Sequence, residues 1–265
     1  MSRIESAANP LVKRLRALEQ HKGRAREGAF VVEGIQPVWH AAESGATIEM
    51  LVIAPELLTS AAAWEMIARQ REAGTRVAEV SAALFERVAT RENPSGIAAI
   101  VQMRRQSLDD LPVTPASLFV ALHEIGNPGN LGTIVRTVDA VGGNGIILIG
   151  EGTDPYHPSA VRASVGTLFR LPVVSVATIA EVQAWCAEHG TAVVTTSARA
   201  PSDHWTVTYP TPSLVLFGNE GRGLPPDVIA AGDLAVRIPM HGGASSLNLA
   251  VAAGVLLYEI LRQRE

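Results

Sequence analysis

Short apolar stretches alternate with helical segments along most of the chain, and this alternation restricts the fold more than any other feature of the sequence. In the second half, the stretches at 119–122, 146–149 and 214–217 are apolar at every position rather than at every other position. Such strands are typical of parallel sheets that are covered on both faces. The sequence therefore predicts an α/β fold whose second half is built on a mostly parallel sheet.

A polar segment with two prolines, residues 104–117, interrupts this alternation. The part before it shows a shorter α/β alternation of its own, and a chain of 265 residues is long enough for two modest cores. We therefore predict a smaller N-terminal α/β domain over residues 1–107, a linker over 108–116, and a C-terminal domain over 117–265.

Basic residues are concentrated at the start of the chain, although the net charge of the whole sequence is −4. The first 28 residues hold seven Lys and Arg but only three Asp and Glu, so they could form a face that binds phosphates. A solvated helix would show the same charges, and charge alone does not decide between the two. The candidate RNA contacts in this region are Lys13, Arg14, Arg16, Lys22, Arg24 and Arg26.

Several classes of protein are excluded by what the sequence lacks. The apolar run 247–257 is too short to cross a bilayer, and residues 1–20 have no apolar secretory core. A single cysteine, Cys186, excludes an internal disulfide, and no histidine spacing suggests a zinc site. We expect a cytoplasmic protein with no membrane partner and no bound metal.

Three glycine-rich polar loops follow predicted strands of the second half, and the first reads EIGNPGNLGTIVRT over 124–137. It opens a helix, so its backbone N–H groups could face an anion. Its glycine spacing differs from that of dinucleotide sites, but Glu151 lies at the distance of a ribose-binding acid, so an oxidoreductase with a nucleotide cofactor stays open. Arg136 lies on a predicted helix whose neighbouring residues are Ile, Val and Thr. Burying a charge among such residues is costly unless the charge meets an anion or faces a cleft.

The second loop reads LFGNEGRGLPP over 216–226, and the third opens the last helix with two glycines, two serines and Asn248. A helix start needs one capping side chain, which Ser245 or Ser246 would supply. Asn248 is a poor helix former, so its presence indicates a role beyond capping. A Ser–His hydrolase is disfavoured because no serine lies in a G-x-S-x-G elbow.

The three loops together resemble the three motifs of the SpoU/TrmH branch of the SPOUT RNA methyltransferases. The first motif matches through residues 127–132 and Arg136, the second is GNEGRGL over 218–224, and the third is IPMHGGASSLNLAVAAG over 238–254. The stretches FVVEG and NPSGI of the first half resemble the ribosomal-protein-like RNA-binding domain of many members, except that Ser95 stands where glutamine is more usual.

This resemblance implies an S-adenosylmethionine-dependent methyltransferase that modifies a ribose 2′-hydroxyl, with 23S rRNA as the expected substrate. It also implies a trefoil knot in the C-terminal domain and a homodimer. Routine ribosome maturation and antibiotic resistance both fit, and the alternatives are a tRNA 2′-O-methyltransferase or a non-catalytic RNA-binding protein.

The resemblance also assigns roles to individual residues. Arg136 would contact RNA and orient the ribose, and because guanidinium stays protonated in proteins, phosphate binding suits it better than a role as base. The implied catalytic residues are Arg136, Asn130, Glu220, Ser246 and Asn248. The implied cofactor contacts are Gly218, Ile238, Leu247, Met240 and Glu220.

Overall fold

The structure, a computed structural model, describes residues 3–265 and contains two compact units. Unit 1 comprises the residues up to Arg104 together with Tyr156–Arg170, and unit 2 comprises Arg105–Pro155 and Leu171–Glu265. The boundaries predicted from the sequence assign residues 156–170 to the second domain, whereas this segment packs with the first unit.

Ten α-helices and eleven strands are found between residues 3 and 265. The helices are α1 (Pro10–Glu19), α2 (His21–Glu27), α3 (Ile35–Glu43), α4 (Ala61–Glu72), α5 (Ala82–Val88), α6 (Pro128–Ala140), α7 (Pro158–Ser164), α8 (Ile179–Glu188), α9 (Pro226–Ala230) and α10 (Leu249–Arg264). The strands are β1 (Ala29–Glu33), β2 (Ile48–Ile53), β3 (Arg76–Glu79), β4 (Ile97–Gln102), β5 (Leu118–His123), β6 (Gly145–Ile149), β7 (Val173–Val176), β8 (Ala192–Thr196), β9 (Ser202–Asp203), β10 (Ser213–Phe217) and β11 (Leu234–Arg237).

Unit 1 is built on a four-stranded mixed sheet in the order β1-β4-β2-β3. Strand β4 pairs antiparallel with β1 and β2, and β2 pairs parallel with β3. Apolar residues of α1 and α5, including Val12, Leu15 and Phe85, cover one face of this sheet. The four strands coincide with those that the sequence predicts, AFVVE, IEMLVIA, TRVAEV and GIAAIVQM.

Asn9 before Pro10 is a helix-start signal, and the sequence predicts one helix over residues 9–21. The structure has two helices in this segment. Asn9 caps α1 by accepting a hydrogen bond from the Leu11 N–H, and the extended backbone of Gln20 ends it before α2 begins. The two helices approach so closely that a Cβ on Gly23 would lie 1.9 Å from the carbonyl oxygen of Ala17. Only glycine permits this close approach.

Arg24 is part of this helical corner rather than of an RNA-binding face. Its side chain is buried, at 1 % exposure, and one guanidinium nitrogen donates to the carbonyl oxygens of Leu18 (3.0 Å) and Glu19 (2.6 Å) at the end of α1. The assignment of Arg24 as an RNA contact is therefore wrong. The charge pattern alone does not distinguish an arginine that caps a helix end from one that faces solvent.

Replacing Arg24 with methionine is expected to lower the free energy of unfolding by about 2 kcal/mol, because two buried carbonyl oxygens lose their donor. Binding of RNA at a temperature below the transition is expected to stay within about 2-fold of wild type. Chemical denaturation and fluorescence anisotropy measure the two quantities. A fully stable variant with weakened RNA binding would contradict this structural role.

Unit 2 contains a seven-stranded sheet in the order β7-β6-β5-β10-β8-β11-β9, in which every pair of strands is parallel. This confirms the parallel α/β fold. Phe119, Ile147 and Leu214 form part of its core, with the ring of Trp185 edge-on to Phe119. Cys186 is buried beside them, and this burial raises the pKa of its thiol to about 12.

The order of the strands places two loops side by side at the carboxyl edge of the sheet. From β5 the chain passes through α6 to β6 on one side, and from β10 it passes through α9 and beyond β8 to β11 on the other. Strands β5 and β10 are neighbours in register, with Leu122 beside Phe217. A point where the connections diverge is where open α/β sheets bind ligands.

One further property concerns membranes. Within residues 3–265, no helix combines the length and apolar character required to cross a bilayer.

Candidate active site

The loop after β5 ends in a helix start that exposes two backbone donors. The Asn127 side chain accepts hydrogen bonds from the N–H groups of Gly129 (2.8 Å) and Asn130 (3.2 Å), and Pro128 occupies the first helical position. This cap provides an acceptor for the free N–H groups of the first turn of α6. The N–H groups of Gly126 and Asn127 take no part in the cap. They donate to the carboxylate of Glu220, at 3.1 and 3.3 Å.

Glu220 is thus held by donors from the neighbouring loop. Burial of the carboxyl would raise its pKa, but hydrogen bonds from the N–H of Gly126, from its own N–H, from the Asn130 amide and from the N–H of Asn127 together lower the pKa below the ordinary 4.5. The carboxylate is therefore charged at neutral pH, and it lies near the positive end of the α6 dipole.

Replacing Glu220 with glutamine is expected to lower the melting temperature most near pH 7. A depressed pKa gives stability that is present above the ordinary value of 4.5 and lost as the pH falls through the pKa of the folded state. The difference from wild type should therefore shrink in acid, as measured by thermal unfolding at a series of pH values. Glu188→Gln, at an exposed position of α8, is the matched control, and a constant difference for Glu220→Gln from pH 7 to pH 3 would contradict the role of the charge.

Asn130 connects this carboxylate to the third loop. Its side chain is 9 % exposed. Its amide nitrogen donates to Glu220 at 3.2 Å, and its carbonyl oxygen accepts from the amide nitrogen of Asn248 at 3.0 Å. One chain of hydrogen bonds, Glu220–Asn130–Asn248, therefore joins all three loops. We call these three residues the amide–carboxylate cluster.

Asn248 is also the N-cap of α10. Its side-chain oxygen accepts from the N–H groups of Ala250 (2.9 Å) and Val251 (3.4 Å). The expectation that Ser245 or Ser246 caps this helix is wrong, since both serines are exposed and lie before the cap. The asparagine amide divides the two contacts between separate atoms, because its oxygen caps the helix while its nitrogen donates to Asn130. A serine has a single hydroxyl oxygen on a shorter side chain.

The loop after β10 is fixed to the loop after β5 by two further contacts. The Asn219 amide nitrogen donates to the carbonyl oxygen of Glu124 at 2.7 Å, and the guanidinium of Arg222 donates to the Glu124 carboxylate at 2.8 Å. The backbone doubles back on itself here, so that a Cβ on Gly218 would lie 2.2 Å from the carbonyl carbon of Gly223. Gly218 is therefore required by close backbone approach.

These loops enclose an open cleft of ≈ 510 Å³, which lies within the usual size of small-molecule sites. It is lined by Gly126, Asn127, Asn130, Glu220, Ser246, Leu247, Asn248 and Leu249.

Comparison with known proteins identifies the family. Residues 117–258 match the SpoU rRNA Methylase family, and residues 9–99 match the MRM3-like substrate binding domain. The chain belongs to the SpoU rRNA methylase family.

Similar proteins of this family extend over nearly the whole chain. A 23S rRNA (uridine(2479)-2'-O)-methyltransferase of Streptomyces viridochromogenes is 37% identical over 91% of this chain and 85% of its own length. The 23S rRNA (guanosine(2553)-2'-O)-methyltransferase RlmP of Bacillus subtilis is 30% identical over 98% of this chain and 99% of its own. The crystal structure of an AdoMet-bound rRNA methyltransferase from Sinorhizobium meliloti superposes with a TM-score of 0.89 at 36% identity, covering 98% of this chain and 97% of that one.

Of the SpoU motif residues expected at the site, the cleft brings together Asn130, Glu220, Ser246, Leu247 and Asn248. Three expected cofactor contacts lie outside its lining: Gly218 is buried at the end of β10, and Ile238 and Met240 are half-buried after β11. Asn127 and Asn219 also organise the loops, although the sequence singles out neither as a site residue. An asparagine directly before Pro128 is the available signal for the first, because Asn-Pro marks a helix start.

Arg136 lies six residues beyond Asn130 on α6, a rise of about 9 Å along the helix. Its side chain is exposed, so the expected cost of burying its charge does not arise. Among the residues that the structure describes, none forms a hydrogen bond or ion pair with its guanidinium, which leaves all of its donors available to an anion.

The remaining basic residues of the N-terminal region differ in availability. Lys13, Arg16, Lys22 and Arg26 are exposed. Arg14 is held between two carboxylates, at 2.7 Å from Glu27 and 2.6 Å from Glu49. As for metals, the part of the chain from residue 3 onward contains no group of three or more His, Cys, Asp or Glu arranged to hold an ion.

Proposed function

We propose that this protein transfers the methyl group of S-adenosylmethionine to a ribose 2′-hydroxyl of 23S rRNA. The amide–carboxylate cluster carries this proposal, because it joins the three SpoU motif loops at one cleft. The relatives named as 23S rRNA 2'-O-methyltransferases support the substrate and the reaction. An rRNA substrate implies that the protein acts in the cytoplasm.

The residues of the cleft fit this cofactor. Residues 241–248 are exposed, so their peptide N–H and C=O groups could serve an adenine, and the cleft is large enough for a small molecule. Leu247 and the loops that begin at Gly218 and Ile238 would hold the cofactor, with Met240 and Glu220 nearby. Bound S-adenosylmethionine supplies an electrophilic methyl group.

The chain's own residues then position the RNA. Arg136 binds the phosphate next to the target ribose and polarises the 2′-hydroxyl, which must lose its proton during transfer. Asn130, Glu220 and Asn248 keep the three loops in one arrangement, so that the reacting oxygen and the methyl group are held in line. Ser246 presents its hydroxyl at the cleft wall.

Mapping of 2′-O-methyl groups on 23S rRNA, from cells with and without the protein, tests the proposed function. One nucleotide is expected to lose its methyl group in the deletion strain and to regain it on complementation. Tritium transfer from labelled S-adenosylmethionine to 23S rRNA, compared with tRNA, tests the same proposal in vitro. Methylation of tRNA alone would replace the rRNA assignment.

We also propose the trefoil knot of the SPOUT fold for the C-terminal domain. Two contacts at the end of α10 support it. The Arg264 guanidinium donates to the carbonyl oxygen of Ala116 before β5, and the Gln263 side chain donates to the Val207 carbonyl oxygen in the segment between β9 and β10. The end of the last helix therefore contacts segments that are more than 50 residues earlier in the sequence. A crystal structure in which the chain after Arg237 passes outside the loop 197–217 would contradict the knot.

A homodimer is the third part of the proposal, and an apolar stripe on α10 supports it. Val251, Val255 and Tyr258 of α10 are 52%, 37% and 54% exposed, and their spacing of four and three residues places them on one face of the helix. Leu247, which is 36% exposed, lies just before the cap of this helix. A contiguous exposed apolar face of this kind marks an interaction surface.

Replacing Val251 and Tyr258 together with glutamate is expected to convert the dimer to a monomer, because two charges would be buried without partners. Light scattering coupled to size exclusion measures the mass, which should fall to 28.0 kDa from twice that value. Arg262→Ala, an exposed change at the end of α10, is the control. A wild-type protein that is already monomeric would refute the dimer.

A further inference from the structure

Unit 1 contains a small apolar cavity of its own, between α1, its sheet and the segment 156–162. The walls are mainly aliphatic and aromatic, including Leu15, Val31, Phe85 and Val161. The volume is ≈ 40 Å³, about three times the ~10–15 Å³ that a cavity needs to hold one water. It therefore has room for an amino group and the ring edge that carries it, but not for a whole base.

One carboxylate that lines this cavity has an oxygen without a donor. Glu33, at the end of β1, accepts hydrogen bonds on one carboxylate oxygen from the backbone N–H and the hydroxyl of Thr90, both at 2.8 Å. Its other oxygen, Oε1, is buried, and no residue in the range 3–265 donates to it. A buried carboxylate oxygen without a donor is costly, which points to a donor that arrives with a ligand.

Two exposed arginines line the same cavity. The guanidinium of Arg91 lies against Gly34, where an added Cβ would be 2.9 Å from one of its nitrogens. That of Arg162 lies 3.5 Å from the carbonyl oxygen of Thr90. Glu19 is the second carboxyl of the lining, so the site combines an internal acceptor with external cations. A ligand that carries both an amino group and an anion matches this distribution of charge.

We propose that this cavity receives the amino-bearing edge of an unpaired nucleobase, adenine, cytosine or guanine, and that Arg91 and Arg162 bind the adjacent phosphate. Recognition of unstacked bases in this way is common for single-stranded segments of RNA. Uracil is disfavoured because it has no amino group, and the two carbonyl oxygens that flank its N3–H would be repelled by Glu33 Oε1 in so narrow a cavity. The inference rests on the proposed function only in taking RNA as the ligand, and it assigns to unit 1 a base preference independent of the methyl-transfer cleft.

Binding of labelled oligo(A), oligo(C) and oligo(U) to the full chain tests the proposal without a cofactor. Wild type is expected to bind oligo(A) and oligo(C) about 10-fold more tightly than oligo(U), the effect of one hydrogen bond to a charged acceptor. In Glu33→Gln the carboxamide oxygen can keep the Thr90 contacts and its NH₂ group then faces the cavity, so the preference should shift toward oligo(U). Glu43→Gln, at an exposed position of α3, should behave as wild type.

The two arginines are tested by a different measurement, the affinity for each RNA and its dependence on salt concentration. Arg162→Ala should weaken all three RNAs equally and reduce the salt dependence of binding by about one phosphate contact. Equal binding of the three RNAs by wild type would overturn the proposal, and so would an unchanged preference in a folded Glu33→Gln protein. The wild-type comparison needs no variant, so it decides even if Glu33→Gln fails to fold.

A methyl-transfer assay separates this inference from the proposed function. A protein that methylates rRNA but shows no base preference refutes only the subsite. A protein with the base preference but no transfer of methyl groups refutes only the enzymatic assignment.

Discussion

Arg136→Ala will lower kcat/KM for methyl transfer by about 10³-fold while S-adenosylmethionine binds with nearly unchanged affinity. The guanidinium is exposed on α6 and lies outside the amide–carboxylate cluster, so its removal leaves the loops in place. What is lost is the group proposed to hold the phosphate and polarise the hydroxyl. Tritium transfer to RNA measures the rate, and calorimetric titration measures the affinity for the cofactor.

Arg136→Lys is the informative companion. Lysine keeps the charge but lacks the planar fork that binds phosphate through two parallel hydrogen bonds, so an intermediate rate is expected. Arg199→Ala, at an exposed position of the same unit, should retain full activity. Near-normal turnover by Arg136→Ala on its true RNA would remove Arg136 from the mechanism.

Gly218→Ala will destroy the second loop and abolish cofactor binding. The added methyl group would lie 2.2 Å from the carbonyl carbon of Gly223 and 2.4 Å from the backbone nitrogen of Leu224. Both neighbours are backbone atoms, so no side-chain rotation relieves the overlap. We expect a loss of about 2–3 kcal/mol in the free energy of unfolding, together with a fall in cofactor affinity beyond about 100-fold.

Gly242→Ala is the matched control for folding, because a Cβ at Gly242 meets no atom within 4 Å. Its free energy of unfolding should stay within about 0.5 kcal/mol of wild type. Denaturant titration and calorimetry measure the two effects for each variant. A Gly218→Ala protein with ordinary stability and cofactor affinity would show that the chain does not double back at this loop.

The sequence predicts the centre of the sheet well because residues 119–122, 146–149 and 214–217 are apolar at every position, a pattern typical of a parallel sheet covered on both faces. It misses β7 and β9, and β9 has only two residues, which are too few to show a period. It also misses the break between α1 and α2, because Gln20 is an ordinary helical residue whose extended backbone is imposed by packing. The return of residues 156–170 to unit 1 has no local signal at all.

At the site, the sequence identifies which residues meet but not what they do locally. The three motifs predict correctly that Asn130, Glu220 and Asn248 share a cleft. The cap of α10 is assigned to the wrong residue because serine and asparagine are favoured about equally at the N-cap position. These preferences contain no information about the contact between Asn248 and Asn130. Arg24 is misassigned because its partners are backbone carbonyl oxygens. Every residue has such an oxygen, so the sequence contains no signal for this contact.

The two-ended use of the Asn248 amide has a mechanical consequence. Its oxygen accepts a hydrogen bond from the first turn of α10, and its nitrogen donates to Asn130. A ligand that displaces Asn130 would therefore also displace that turn. The apolar stripe begins at the same turn. In the proposed dimer, occupancy of the cleft and the stability of the subunit contact would therefore be coupled through a single primary amide.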